Sequence, residues 1–227
     1  MSIRAEAKLS DVPYVEMIMR GRTESDGASI RPAERHWHMV IVRHQDTPRL
    51  LVVGPWTKAG VASWQDGAEI LWIKFKLGTF MPHLPTRNFL NTETMLPQAG
   101  DQSFWLNGSA WQFPTYENAD TFVHRLVRDQ LLLSDPLINA TLQDQVSPHE
   151  IASRTVRHRF LHSTGLTQNF IRQVERAQRA AALLRQGVSI LDTVYETGYF
   201  DQPHLTRSLK QFIGYTPAQI LQSHQPK

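Results

Sequence analysis

Between positions 69 and 77 apolar and polar residues alternate: Leu71, Ile73, Phe75 and Leu77 share one face, Trp72, Lys74 and Lys76 the other. That is the period of a half-buried strand. Shorter apolar or aromatic segments at 36–43, 49–54 and 61–64 are separated by Pro, Gly and Asp, which suits strands joined by turns. No helical pattern intervenes, so the first part of the chain is expected to be an antiparallel sandwich or small barrel. Positions 80–115 are broken by Pro and Gly and give no periodic signal.

The period changes near residue 117. Over 118–133, Phe122, Val123, Leu126, Val127, Gln130 and Leu131 have the spacing of one helical face, and Ser134-Asp-Pro136 is a stop signal. The domain boundary is placed there, giving 1–135 as a sensor or dimerisation domain and 136–227 as a helical domain. The second part contains a repeat at an offset of 49 residues. Val156, Phe160, Gly165 and Thr167 correspond to Leu205, Leu209, Gly214 and Thr216. The apolar pair marks a helix face, the Gly ends that helix in a left-handed turn, and the Thr starts the next. Between the copies, 168–186 reads as one long amphipathic helix, with Phe170, Val174, Ala177, Ala181 and Leu184 on one face and Arg172, Arg176 and Arg179 on another. Ser189 then caps a helix that closes on Gly198, and Asp201 caps the next, with Pro203 in its first turn. Helix, short Gly-containing turn, helix is the helix-turn-helix arrangement, whose second helix enters the DNA major groove.

Composition sharpens this division. The 227 residues carry a formal net charge of +3, and all six Trp lie at or before position 111. Residues 137–227 hold ten basic and six acidic side chains, and 151–187 alone hold seven Arg against Glu175, so the basic charge is concentrated in the helical part. There is no Cys, which excludes disulfides, thiolate metal sites and thiol nucleophiles. No apolar run approaches the roughly 20 residues that span a bilayer, and the charged first 20 residues do not read as a secretory signal. A soluble cytoplasmic protein without a membrane partner is expected.

Seven segments in ordered spacing carry a family resemblance: Arg154-Thr-Val-Arg-His-Arg-Phe160, Gly165-Leu-Thr167, Ala180-Ala-Ala-Leu-Leu184, Gly187-Val-Ser-Ile190, Gly198-Tyr-Phe-Asp-Gln202, His204-Leu-Thr-Arg207 and Gly214-Tyr-Thr-Pro217. Over about 75 residues they resemble the DNA-binding domain of AraC/XylS transcription regulators. Phe104-Trp-Leu-Asn-Gly108, Trp111 and 114–122 look like a poorly characterised amino-terminal domain found on some of these regulators. The resemblance implies a bacterial, sequence-specific regulator of double-stranded DNA, with two helix-turn-helix units on a long linking helix and RNA polymerase as a partner. It leaves open a small-molecule effector and a homodimer. Base contacts implied by matching positions are Arg154, Arg157 and His158 in the first recognition helix, and Gln202, Pro203, Thr206 and Arg207 in the second. Arg159 and Lys210 are expected at phosphate or solvent. The first unit departs from the pattern: its supporting helix, expected over 140–148, has Gln145 on its apolar face and Pro148 near its end.

The rival reading is a metal-binding or enzymatic β-barrel with a carboxy-terminal helical interaction module. It rests on His36-Trp-His38, whose spacing puts both imidazoles on one strand face, with His44 or His83 as companions. No carboxylate has a matching spacing and the HExxH pattern is absent, so no metal, no cofactor and no catalytic activity are expected. An effector would be sought near Trp37, His38, Trp72, His83 and Trp105, although most of the Trp are expected simply to fill the β core.

Overall fold

The computed structural model describes residues 3–142 and 152–223. Among the described residues, thirteen strands precede or flank seven α-helices, and a short 3-10 helix spans Thr86–Phe89. The strands are β1 (Ile3–Lys8), β2 (Val15–Thr23), β3 (Gly27–Arg31), β4 (His38–His44), β5 (Thr47–Val53), β6 (Gly60–Trp64), β7 (Glu69–Phe75), β8 (Thr79–Phe80), β9 (Glu93–Met95), β10 (Gln98–Gly100), β11 (Ser103–Leu106), β12 (Ser109–Gln112) and β13 (Leu133–Ser134). The helices are α1 (Ala119–Arg128), α2 (Pro136–Leu142), α3 (Ser153–Thr164), α4 (Gln168–Arg185), α5 (Ile190–Thr197), α6 (Gln202–Phe212) and α7 (Pro217–Gln222). The amino-terminal part is β-rich and the carboxy-terminal part helical. No helix is long and apolar enough to cross a membrane among the described residues.

The chain folds into two compact units that are not collinear with the sequence. The first comprises 1–27, 36–55 and 63–167; the second comprises 28–35, 56–62 and 168–227. Helix α3, the expected first recognition helix, therefore belongs to the unit that holds the main sheet. Two short segments from the β-rich part belong with α4–α7.

In the first unit, six antiparallel strands run in the order β1-β2-β7-β4-β5-β9, an open sheet and not the closed barrel offered as one expectation. Its buried face is built row by row. Ile18, Ile73, Met39 and Val52 are paired across four strands and all are fully buried. The next row brings Leu71, Ile41 and Leu50 together. This face packs in one cluster with Phe104 and Trp111 of the β10–β12 sheet and with Ala119, Phe122, Val123 and Leu126 of α1. Trp37 stacks on Phe75 at 4.1 Å and its indole N–H donates to the Thr79 carbonyl at 2.6 Å, so this Trp fills the core and satisfies its polar atom at once.

Lys8 and Ser10 tie the first strand to α1 through Asp120, the Lys8 ammonium at 2.9 Å. Burial works against the charged form of Asp120, but the hydrogen bonds from Ser10 and Lys8 outweigh it and hold this carboxyl below its ordinary pKa.

Two expectations are corrected here. The helix predicted over 118–133 ends at Arg128, because Gln130 reverses the chain at φ 57° and Leu133–Ser134 instead pairs with β8. Only two of the six Trp, Trp37 and Trp111, are buried, whereas Trp105 is 46% exposed. Strands β1 and β2 add to the strands expected from the sequence. The predicted supporting helix over 140–148 lies outside the described residues from position 143 onward.

Candidate nucleic-acid interface

The second helix-turn-helix is assembled by local signals the sequence displays openly. Ser189 caps α5 by accepting from the Asp192 N–H at 3.1 Å, and the helix stops at Gly198 in the left-handed region. Asp201 caps α6 by accepting from the His204 N–H at 2.7 Å. On α6, Leu205, Leu209 and Phe212 are buried against the small residues Ala177, Ala180 and Ala181 of α4, which let the two helices approach closely. Tyr199 fixes the turn: its hydroxyl lies 2.7 Å from Ser208 Oγ and the Arg176 guanidinium sits over its ring at 4.3 Å.

With that face buried, the opposite face of α6 is set by the 3.6-residue period. Gln202, Pro203, Arg207 and Lys210 are exposed and Thr206 is half-exposed. These positions form one stripe on an 11-residue helix capped at its N-terminus. The stripe has the chemistry of base-edge and phosphate recognition: a guanidinium for guanine, a primary amide for adenine, a methyl for thymine and an ammonium for phosphate.

The carboxy-terminal end of α6 is finished by residues from far up the chain. The Phe212 carbonyl accepts from the Ala33 N–H and the Gln211 carbonyl from the Ala59 N–H, each at 2.7 Å. Both are orphan acceptors of a helix end. Arg35 reinforces the contact, reaching Glu175 at 3.4 Å and Gln178 at 3.3 Å. Gly214 is required here: its φ is 90°, and a Cβ would stand 2.5 Å from Ile30.

Helix α3 is held in the first unit. Phe160, Ser163 and Thr164 are buried, and Arg154, Arg157 and His158 are exposed on the opposite side. The anchor is Asp135, whose side chain is 9% exposed. It accepts from Arg159 Nε at 2.7 Å and from Arg159 Nη2, and also caps α2 through the Leu137 N–H at 3.0 Å. Ser163 Oγ stands 3.4 Å away. Thr86 donates to the Ser163 carbonyl at 3.3 Å, and Gly165, at φ 70°, lets the chain leave α3 against the backbone of Thr86 and Arg87.

Arg159, expected at phosphate or solvent, pairs with this buried carboxylate while its side chain stays 41% exposed. In the sequence Asp135 is marked only as part of a stop signal; the one local clue to its role is an acid followed by Pro at a helix start. Among the described residues, no three His, Asp or Glu gather in a group able to hold a metal. His36 is buried beside Trp37 and precedes β4 instead of lying in it.

A family model described as a helix-turn-helix domain matches residues 150–223. The HTH-type transcriptional regulator RipA of Corynebacterium glutamicum is 30% identical over 89 residues, 39% of this chain and 27% of that protein. The matched region thus spans about a quarter of that relative's length. Among solved structures, ToxT from Vibrio cholerae bound to (E)-4-(8-methylnaphthalen-1-yl)but-3-enoic acid aligns at TM-score 0.42 and 10% identity, over 99% of this chain and 100% of that one. A second structure of ToxT from Vibrio cholerae aligns at TM-score 0.38 and 11% identity, over 97% of this chain and 98% of that one.

Proposed function

We infer, from the match of residues 150–223 to a helix-turn-helix domain and the resemblance of their motifs to AraC/XylS regulators, that the chain is a sequence-specific regulator of transcription acting on double-stranded DNA. The observation that carries this reading is the exposed stripe of Gln202, Pro203, Thr206, Arg207 and Lys210 opposite the buried Leu205, Leu209 and Phe212. Arg154, Arg157 and His158 supply the second contact surface. In the proposed complex α3 and α6 enter successive major-groove faces, about 34 Å apart along the duplex. The β-rich part senses or dimerises, and a bound small molecule and RNA polymerase are the further partners this reading assigns. The protein is read as a non-enzyme of the cytoplasm, with no cofactor.

Titrating the full chain onto a selected duplex by fluorescence anisotropy tests the contact set. Arg207→Ala is expected to cost about 1–3 kcal/mol on the preferred site and to relax preference at one base pair. Lys210→Ala is expected to weaken all duplexes alike and to reduce the slope of log affinity against log salt by about one. Unchanged affinity and preference in both variants would remove α6 from the interface.

A further inference from the structure

The buried face of the six-stranded sheet does not stay apolar to its end. Beyond the Leu71 and Ile41 row, the next row across four strands reads Arg4, Arg22, Glu69, Arg43 by direct pairing. These side chains wall a cleft of about 660 Å³, bounded on the other side by residues 114–117 and floored by Ile41 and Leu71, both under a tenth exposed. That volume lies within the range of small-molecule sites.

The charges in this cleft do not balance locally. A fourth guanidinium, Arg20, takes two of the three available carboxylates, Glu6 at 2.8 Å and Glu117 at 3.0 Å, and lies over the Tyr116 ring at 4.5 Å. It lines one wall of the cleft, with these carboxylates as its partners. Arg4, Arg22 and Arg43 are left to share Glu69, which only Arg22 approaches, at 3.9 Å. Arg43 reaches the neutral Gln102 at 3.4 Å. Arg4 and Arg22 stand directly opposite each other, a placement in which like charges destabilise a sheet. An occupant with negative charge would relieve this repulsion, and guanidinium forks match oxyanions in geometry as well as charge.

We propose that this cleft binds a small organic anion, its carboxylate or phosphate on Arg22 with Arg4 and Arg43 flanking, and its apolar body over Leu71 and Ile41 beside Tyr116. As an effector site it rests on the regulator reading; as a binding site it stands without DNA, and the test contains none.

Calorimetric titration of the full chain at low salt with 3-phenylpropionate, phenyl phosphate and the neutral 3-phenylpropan-1-ol decides it. Saturable binding of either anion and none of the alcohol is expected, and the preferred anion identifies the head group. Arg22→Gln and Arg43→Gln should each weaken it about tenfold, the loss of one charge-assisted interaction. Glu69→Gln, which removes the competing carboxylate, should tighten it. Arg49→Gln, on the other face of β5, should leave it unchanged, and equal melting midpoints separate lost binding from lost fold. The proposal is overturned if neither anion saturates, if the alcohol binds equally, or if the Arg22 and Arg43 variants bind like the parent chain.

Discussion

Replacing Asp135 with Ala should loosen α3, the proposed first recognition helix, selectively. The carboxylate serves two elements: it accepts from Arg159 on α3 through two donors, and from the Leu137 N–H at the start of α2. Loss of a helix cap costs about 0.5–2 kcal/mol, and loss of a charge-assisted hydrogen bond about 1.5–3 kcal/mol. The second figure must be discounted, because Arg159 is 41% exposed and regains water once its partner is gone. A net cost on the order of 2–3 kcal/mol follows, well short of what stripping a fully buried pair would exact. Hydrogen exchange of the intact chain reads this directly: α3 amides that open locally should exchange about 30 to 150 times faster. Amides of α6, in the other unit, should not change. Asp135→Asn, which keeps an acceptor for Leu137, should fall between parent and Ala variant. Equal α3 exchange in the parent and Asp135→Ala chains would show that packing of Phe160 and the Thr86 contact hold the helix without the carboxylate.

Gly214→Ala should lower the melting temperature of the unit containing α6: a left-handed backbone alone costs a non-Gly residue about 1–2 kcal/mol, and the added Cβ would also displace Ile30. Differential scanning calorimetry checks it, and an unchanged midpoint would refute the close approach. Asp120 gives a pH signature. Because its folded pKa lies below the ordinary 3.8, its ties stabilise the fold above that value and are lost as the pH falls through the lower, folded one. Asp120→Asn should therefore be less stable than the parent at pH 7 in urea unfolding, with the difference shrinking in acid; a constant difference would contradict the assignment.

The helical elements were legible because their signals are local. Ser189, Gly198 and Asp201 act within three or four residues of themselves, and the buried face of α6 follows from spacing alone. What escaped reading depends on partners distant in sequence. Nothing in the neighbourhood of Ala33 or Ala59 announces that its N–H will finish a helix about 150 or more residues later. Asp135 is likewise defined by Arg159, 24 positions on. Strand β2 was hidden for a different reason. Its inward positions begin with Val15, shift register at a bulge before Met17, and continue with Ile18, Arg20 and Arg22, so the alternation that marks a strand is broken first by the bulge and then where the apolar face becomes a charged cleft. Local rules are expected to fail at sites that serve something other than stability.

Selecting random genomic fragments on the purified full chain, at low and then rising salt, and sequencing those retained tests the central claim most directly. The account predicts enrichment of one short motif with two readable parts about one helical turn apart, lost in the Arg207→Ala chain at the part read by α6. Retention that disappears with salt and enriches no sequence at any concentration would contradict it.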